Sequence, residues 1–330
     1  MILVEHPTWK IKDPSKIISY AGCPRSYMYR YIFGWELDSP DVHRHFGKCW
    51  HASMEHLMLH GLGDEAYEQA VEILTAKYRE VFPEMTDLER SPKTPGHAKL
   101  ALAMYCKEFR KKDNFEILYT EIAGTVPIAP NRVIHFKMDS IMRDRNNNDL
   151  IKSLEHKTGS QNSAQWRDGW KLSIQTGAYN HVLYCAFPEE EVWGVEVNGA
   201  IFTKSKIAEF PRIPARRSPR MMDAWLTTVN ALVDRIEADT AYIMAYSENN
   251  AVLNAFLPTY GPCASYKGCP YQDFCMTRPN PLQDVGEIPE GFKLEYWDPS
   301  AREGTKKVTV EGGINVCTEP GIGGDFSLIT

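Results

Sequence analysis

Positive charge is not in excess in this sequence: 37 lysines and arginines face 43 aspartates and glutamates, leaving a net charge of −6. That excludes a chain whose whole surface is built to hold a polyanion, but it leaves room for a local basic groove. No segment approaches the length of a membrane span, and Met1-Ile2-Leu3-Val4-Glu5-His6-Pro7 lacks a basic region followed by an apolar run and a small-residue cleavage site. An intracellular, cytoplasmic protein with no membrane partner is therefore expected. Internal repeats and low-complexity tracts are absent, as is the His-Glu-x-x-His pattern of zinc peptidases. What remains is an ordinary globular composition, 43% hydrophobic and 24% charged over 330 residues, enough for one large domain or two modest ones.

The stretch that stands out is Leu150-Ile151-Lys152-Ser153-Leu154-Glu155-His156-Lys157-Thr158-Gly159. It reads as a strand, so Glu155 and Lys157 project from one face while Leu154 and His156 point to the other. Alone, such a pair is most simply an exposed salt bridge worth little. Its neighbours change that reading. Alternating apolar patterns over residues 116–126 and 133–142, then the turn-forming run Asp144-Arg145-Asn146-Asn147-Asn148-Asp149, predict a hairpin that sets Asp139 near Glu155 and Lys157. Two carboxylates about 4 Å apart repel by roughly 4 kcal/mol at an effective dielectric near 20. Lys157 offsets part of this, and a hard divalent cation such as Mg²⁺ or Mn²⁺ offsets more.

Helical periodicity surrounds these strands. Residues 46–61 predict a helix stopped by Gly61, with His51 and Glu55 on one face, and residues 65–81 and 96–114 predict helical cover. Residues 163–187 predict a long helix broken near Gly169, presenting Gln175 and Tyr179 four residues apart, and 191–202 returns to strand periodicity. Trp166 and Trp170 can stack single-stranded bases or pack in a core. The dense basic run Arg212 to Arg220, with Lys206 nearby, can meet phosphates or remain a solvated loop. A long amphipathic helix over 221–248 follows, and beyond Arg278 the chain loses periodicity and reads as an extended tail, with a short strand near 306–310.

Eight cysteines in a reducing compartment point to metal ligands before disulfides. Cys263, Cys269 and Cys275 recur at equal spacing in a loop rich in Gly, Pro and aromatics. A tetrahedral centre needs a fourth ligand, and Cys23, preceding Pro24 at a predicted helix start, is the candidate.

In this order the motifs resemble the RecB-type branch of the PD-(D/E)XK nuclease superfamily, in particular its iron-sulfur exonucleases of the CRISPR-associated four-cysteine and AddB kinds. The resemblance runs from Ser19 to Cys275 through Cys23-Pro24-Arg25, Gly47-x-x-x-His51, Asp139, Glu155-x-Lys157-Thr158-Gly159, Gln175-x-x-x-Tyr179 and the cysteine trio. It implies an α/β fold, a mixed central β-sheet flanked by helices (a restriction-endonuclease-like core), with a helical insertion and a cysteine-ligated cluster subdomain. The organisation implied is an N-terminal segment over 1–42, a nuclease core over 43–205, a C-terminal helix and cysteine segment over 206–278, and a tail over 279–330. His51, Asp139, Glu155 and the His156 main-chain carbonyl would hold Mg²⁺ or Mn²⁺, Lys157 would orient or deprotonate the attacking water, and Gln175 and Tyr179 would touch the nucleic-acid backbone. Cys23, Cys263, Cys269 and Cys275 would hold a 4Fe-4S cluster, with zinc as the alternative. Relatives carry glycine where this chain has Lys137, and a two-residue first gap in the trio where this chain has five.

The function implied is a DNA exonuclease acting on single strands or duplex ends, in recombination, repair, phage DNA metabolism or spacer acquisition in a bacterial, archaeal or phage-infected cell. Homo-oligomers and recombination or CRISPR proteins are the implied partners. The alternative is a non-catalytic nucleic-acid-binding or assembly subunit that kept the fold.

Overall fold

The computed structural model describes residues 3–245, 250–264, 268–301, 307–311 and 325–328. The end of the helix expected over 221–248 and most of the far end of the expected tail lie outside the described residues. In chain order the helices and strands are α1 (Pro14–Gly22), α2 (Pro24–Tyr27), β1 (Trp35–Leu37), α3 (Val42–His60), α4 (Asp64–Arg79), α5 (Asp87–Arg90), α6 (Pro95–Phe109), β2 (Phe115–Ala129), β3 (Arg132–Asp144) and β4 (Leu150–Gly159). After them come α7 (Ala164–Lys171), α8 (Ile174–Ala186), β5 (Val192–Ile201), β6 (Arg212–Pro214), α9 (Pro219–Ala245), α10 (Gln272–Thr277), β7 (Phe292–Leu294), β8 (Lys307–Glu311) and β9 (Asp325–Leu328).

The chain divides into two compact units. One comprises residues 1–39, 125–136 and 223–304, and the other 40–124, 137–222 and 305–330. The first unit is organised around aromatic side chains. Asp13 caps α1 by accepting from the Lys16 amide at 2.9 Å, with Pro14 preset for the first turn. After α2 the helix widens into a π-type turn over Met28–Ile32, and β1 pairs antiparallel with β7 from Trp35↔Leu294 to Leu37↔Phe292. Tyr27 stacks on Phe256 and Tyr29 stacks on Trp35 and Tyr271, all five rings buried. Asp239 of α9 binds this cluster by accepting from the Tyr20 hydroxyl at 2.8 Å and the Phe256 amide at 2.9 Å.

The second unit carries the sheet, a mixed one of order β6-β5-β4-β3-β2-β8-β9. β4 and β5 are parallel, as the crossover through α7 and α8 between them requires, while the β3–β4, β5–β6 and β8–β9 pairs are antiparallel. α3 packs against β4 and α8 against β5. α3 starts at Asp41, whose carboxylate accepts from the His43 and Arg44 amides, and stops at Gly61, whose φ of 84° suits glycine. Its apolar face joins α4 and α6 in a core that includes Phe46, Trp50, Leu57, Leu74, Tyr78 and Leu102. The fold class is therefore the expected one, α/β with a mixed sheet flanked by helices.

The break in the expected 163–187 helix lies at Leu172-Ser173, not at Gly169, which sits inside α7. Ser173 decides this: its side chain accepts from the Gln175 amide at 3.1 Å and caps a new helix. A glycine inside a helix costs only about 1 kcal/mol relative to alanine, so Gly169 weakens α7 without ending it.

Two features hold the far end of β4. Lys93 is buried, donates to the Gly159 carbonyl at 2.9 Å, and lies 5.1 and 4.8 Å from the Phe46 and Phe202 ring centres. Trp166 lies across two glycines. A Cβ on Gly159 would stand 2.6 Å from Ile201 Cδ1 and 3.2 Å from Trp166 Nε1, and one on Gly199 would stand 2.7 Å from Trp166 Cη2 and 2.9 Å from Pro211 Cγ. Of the two readings open for Trp166, packing accounts for this indole. Gly199→Ala is expected to destabilise the protein by roughly 1–3 kcal/mol through overpacking. In thermal melts, shortening the indole with Trp166→Phe should remove much of that added cost, and strictly additive losses would contradict the contact.

Candidate metal centre and cysteine cluster

Asp139 on β3 and Glu155 on β4 meet because the hairpin register sets them opposite. The pairing Met142↔Lys152, Arg143↔Ile151, Asp144↔Leu150, counted onward, reaches Asp139 and Glu155 together. Between them the Ser140 hydroxyl donates to the Leu154 carbonyl at 2.9 Å and accepts from its amide at 3.3 Å, so a side chain takes over the hydrogen bonding just before the acids. Asp139 is 8% exposed and Glu155 2%. Asp139 is fixed at both oxygens: Oδ1 lies 3.0 Å from His51 Nδ1, and Oδ2 accepts the His156 main-chain N–H at 2.7 Å.

The charges respond to this burial. For Asp139, burial alone would raise the carboxyl, but the charge and hydrogen bond of His51, with His156 and Lys157 behind them, hold it well below the usual carboxylate range. His51 moves the opposite way: burial would lower its ring, and Asp139 raises it. Glu155 is pushed up to about 7 by burial and by the Asp139 charge, against the pull of Lys157. Lys157 donates to Glu155 Oε1 at 2.6 Å and is raised by that pair despite its burial. The second oxygen, Glu155 Oε2, is buried and has no hydrogen-bond partner.

His51, Asp139 and a third residue, Glu121 of β2, each offer a ligand atom, all within 4.8 Å of one another. Glu121 was not singled out from the sequence. It adopts a left-handed φ of 49°, rare for a residue with a side chain, and forms an ion pair with Lys137. Lys137 itself was legible, as the residue standing where relatives carry glycine. Glu55, one turn beyond His51, accepts from Thr120 at 3.4 Å, and burial with the charges of Glu121 and Asp139 raises its carboxyl.

This donor set fits a hard divalent cation. Asp139 and Glu121 supply oxygens and His51 a nitrogen, and beside this set the buried Glu155 Oε2 has no donor, which is costly unless a cation meets it. Glu55 adds a fourth carboxylate, against the ammonium groups of Lys137 and Lys157. The His156 ring lies beside that of His51, with ring centres 6.0 Å apart. Its Nδ1 lies 2.9 Å from Asn198 Nδ2 and its Nε2 3.3 Å from Met58 Sδ, and burial lowers it to about 3, so it is neutral.

Gln175 and Tyr179 meet each other: Gln175 Nε2 donates to the Tyr179 hydroxyl at 2.9 Å, with Tyr179 buried. Close by in the chain, Thr176 donates to the Trp170 carbonyl at 2.8 Å, and the Trp170 ring centre lies 5.4 Å from the Lys157 ammonium.

The cysteine set belongs to the other unit. Cys23 is buried and accepts the Thr259 amide at 3.4 Å; Cys263, Cys269 and Cys275 are half-buried. Burial raises the Cys275 thiol to about 11, and the charges of Cys23, Cys269 and Cys263 all act on it, as those of Cys263 and Cys23 act on Cys269. Four thiols from opposite ends of the chain thus share one neighbourhood, with the buried Arg25 acting on Cys275 in the opposite sense. Cys49, Cys106 and Cys185 are buried elsewhere, and Cys317 lies outside the described residues.

The comparisons with known proteins bear on this centre. No curated protein matches the sequence. Among solved structures, a candidate exonuclease from Eubacterium rectale aligns over 70% of this chain and 81% of its own at 16% identity, TM-score 0.46. The protein SSO0001 aligns over 83% and 89% at 14% identity, TM-score 0.34. These two likenesses are too distant to carry argument. The family model of the PD-(D/E)XK nuclease superfamily matches residues 14–276, which takes in the hairpin acids, the lysine and the cysteines alike, and the chain belongs to that superfamily.

Proposed function

We propose that this chain is a divalent-metal-dependent deoxyribonuclease of the RecB type, an exonuclease acting on single strands or duplex ends. One observation carries the proposal: Asp139, Glu155 and Lys157 converge on a buried centre in which one carboxylate oxygen of Glu155 has no protein partner. A bound Mg²⁺ or Mn²⁺ would supply Lewis-acid stabilisation of the scissile phosphate and acidify a water. The protein's own groups do the rest. His51, Glu121 and Asp139 would hold the cation, with Glu155 beside them, and the His156 N–H keeps the Asp139 carboxylate in place. Lys157, which donates to Glu155, would orient the attacking water and screen the charge that develops on the phosphate. Gln175 and Tyr179 contact the backbone beside it. A non-catalytic subunit would have no use for the complete set of Asp139, Glu155 and Lys157, and their buried arrangement favours an enzyme.

We further assign a 4Fe-4S cluster to Cys23, Cys263, Cys269 and Cys275. Zinc is the alternative occupant of the same four thiols. The Thr259 N–H on Cys23 and the buried Arg25 suit an anionic cluster. Its place is structural, joining the N-terminal helices to the segment after α9.

Three outcomes follow. Glu155→Gln and Lys157→Met proteins that keep the wild-type circular dichroism should lose at least about a hundredfold in cleavage of end-labelled DNA with manganese; wild-type rates in either would remove the assignment. Without nucleic acid, manganese at a hundred times its Kd should stabilise the wild type by about 2.7 kcal/mol in thermal melts. Asp139→Asn should lose that shift, and an undiminished shift would move the cation elsewhere. Anaerobically purified protein should be brown and contain iron, with Cys269→Ser pale and less stable; colourless zinc protein would replace the cluster with zinc.

A further inference from the structure

The basic run that stood out in the sequence does not form one charged surface. Arg212 is spent on Asp113 at 2.7 Å and Glu196 at 3.5 Å, Lys206 on Glu209 at 2.6 Å, and Arg216 on the Trp193 carbonyl at 2.8 Å and the Trp193 ring. Arg217 is different. It is 6% exposed, and among the described residues no carboxylate pairs with it. Its Nη2 donates to the Ser173 carbonyl at 2.6 Å, while its Nε is buried with no acceptor. Burial is the influence on its pKa, and it lowers it.

A buried guanidinium lacking a counter-charge is expensive, and a buried donor lacking an acceptor adds to the cost. A second orphan donor sits at the same junction. Trp170, whose ring lies 5.4 Å from the Lys157 ammonium, has a buried indole Nε1–H without a partner. An indole N–H can only donate. Trp170 is followed in the chain by Lys171 and Leu172, both exposed, and by Ser173, which opens α8 and whose carbonyl accepts from Arg217. The amino end of a helix favours an anion. A buried cation without a carboxylate partner, an unpaired N–H and a helix amino end are thus all tied to the short turn after α7, beside Lys157.

We propose that the α7–α8 junction is a phosphate subsite in which Arg217 and the Trp170 N–H bind a backbone phosphate of the nucleic-acid strand, next to the phosphate that is cleaved. The proposal rests on the nuclease reading and deepens it, since it says which residues hold the strand in register. Guanidinium geometry matches two phosphate oxygens, which lysine cannot reproduce. Arg217 and Trp170 bind the strand and are not placed in the metal centre.

The test measures binding without cleavage. Fluorescence anisotropy of a labelled single-stranded oligonucleotide, with Ca²⁺ in place of the catalytic metal, is followed through a potassium chloride series. Arg217→Gln should weaken binding about tenfold and flatten the slope of log K against log salt by about 0.7, the loss of one single-strand phosphate contact. Its melting temperature should equal or exceed that of the wild type, because an uncompensated buried charge is gone. A purely structural arginine would do the reverse, lowering stability with the slope unchanged, and that result would overturn the proposal. Oligonucleotides with one neutral methylphosphonate linkage, moved along the strand, should show one position that weakens the wild type and not Arg217→Gln. Trp170→Phe keeps a ring over Lys157 and removes the N–H; a smaller loss at the same position is expected, and no loss at any position would count against it. If the wild type neither binds nor cleaves DNA, the nuclease reading itself fails; if it does both while Arg217→Gln keeps the wild-type slope, the subsite alone fails.

Discussion

The mutual repulsion of Asp139 and Glu155, buried at one end of a hairpin, is the constraint that the rest of the candidate centre answers. Neither acid can escape to solvent, and each is tied to main chain or to a cation: Asp139 to the His156 N–H and His51, Glu155 to Lys157. Even so the protein's own groups fall short, because Glu155 is held near neutrality in its acidity and one of its oxygens has no donor. Glu121 and Glu55 add negative charge to the same place. One Glu155 oxygen is left without a donor, the opening that the proposed cation would fill, and the surrounding architecture holds the acids in place. The Ser140 hydroxyl holds the strands just before the acids, Lys93 holds the end of β4, and Trp166 lies across Gly159 and Gly199.

Much of this was legible in the chain. The turn-forming run from Asp144 to Asp149 announced the hairpin, and strand alternation then put Asp139 beside Glu155 and Lys157 on the same face. Cys23 and the distant trio were linked by the arithmetic of a four-ligand centre, and they do share a neighbourhood. Glu121 was not legible, because its place depends on a left-handed backbone turn inside a long strand and no local spacing marks it. The helix break was misread for a local reason: Gly169 is the weaker helix former, but Ser173 supplies a cap, and a favourable new start outweighs a tolerated defect. The basic run read as one feature, and only tertiary pairing separates Arg212, Arg216 and Arg217 into three different duties.

The two units divide the labour. One holds the candidate metal centre, the β4–β5 crossover and the α7–α8 junction; the other holds the aromatic cluster and the four cysteines. In the second of these a small core is reinforced by stacked rings and by Asp239 clasping Tyr20 and Phe256. A cluster there would contribute stability in the way structural metal sites do, by joining segments that are remote in sequence.

The proposed cation site on Asp139 of β3 and Glu155 of β4 is what the proposed activity depends on. Anomalous diffraction at the manganese edge, from crystals grown with manganese, tests it directly. A manganese peak on the carboxylate oxygens of Asp139 and Glu155 is the predicted result. No peak there under saturating manganese would contradict it.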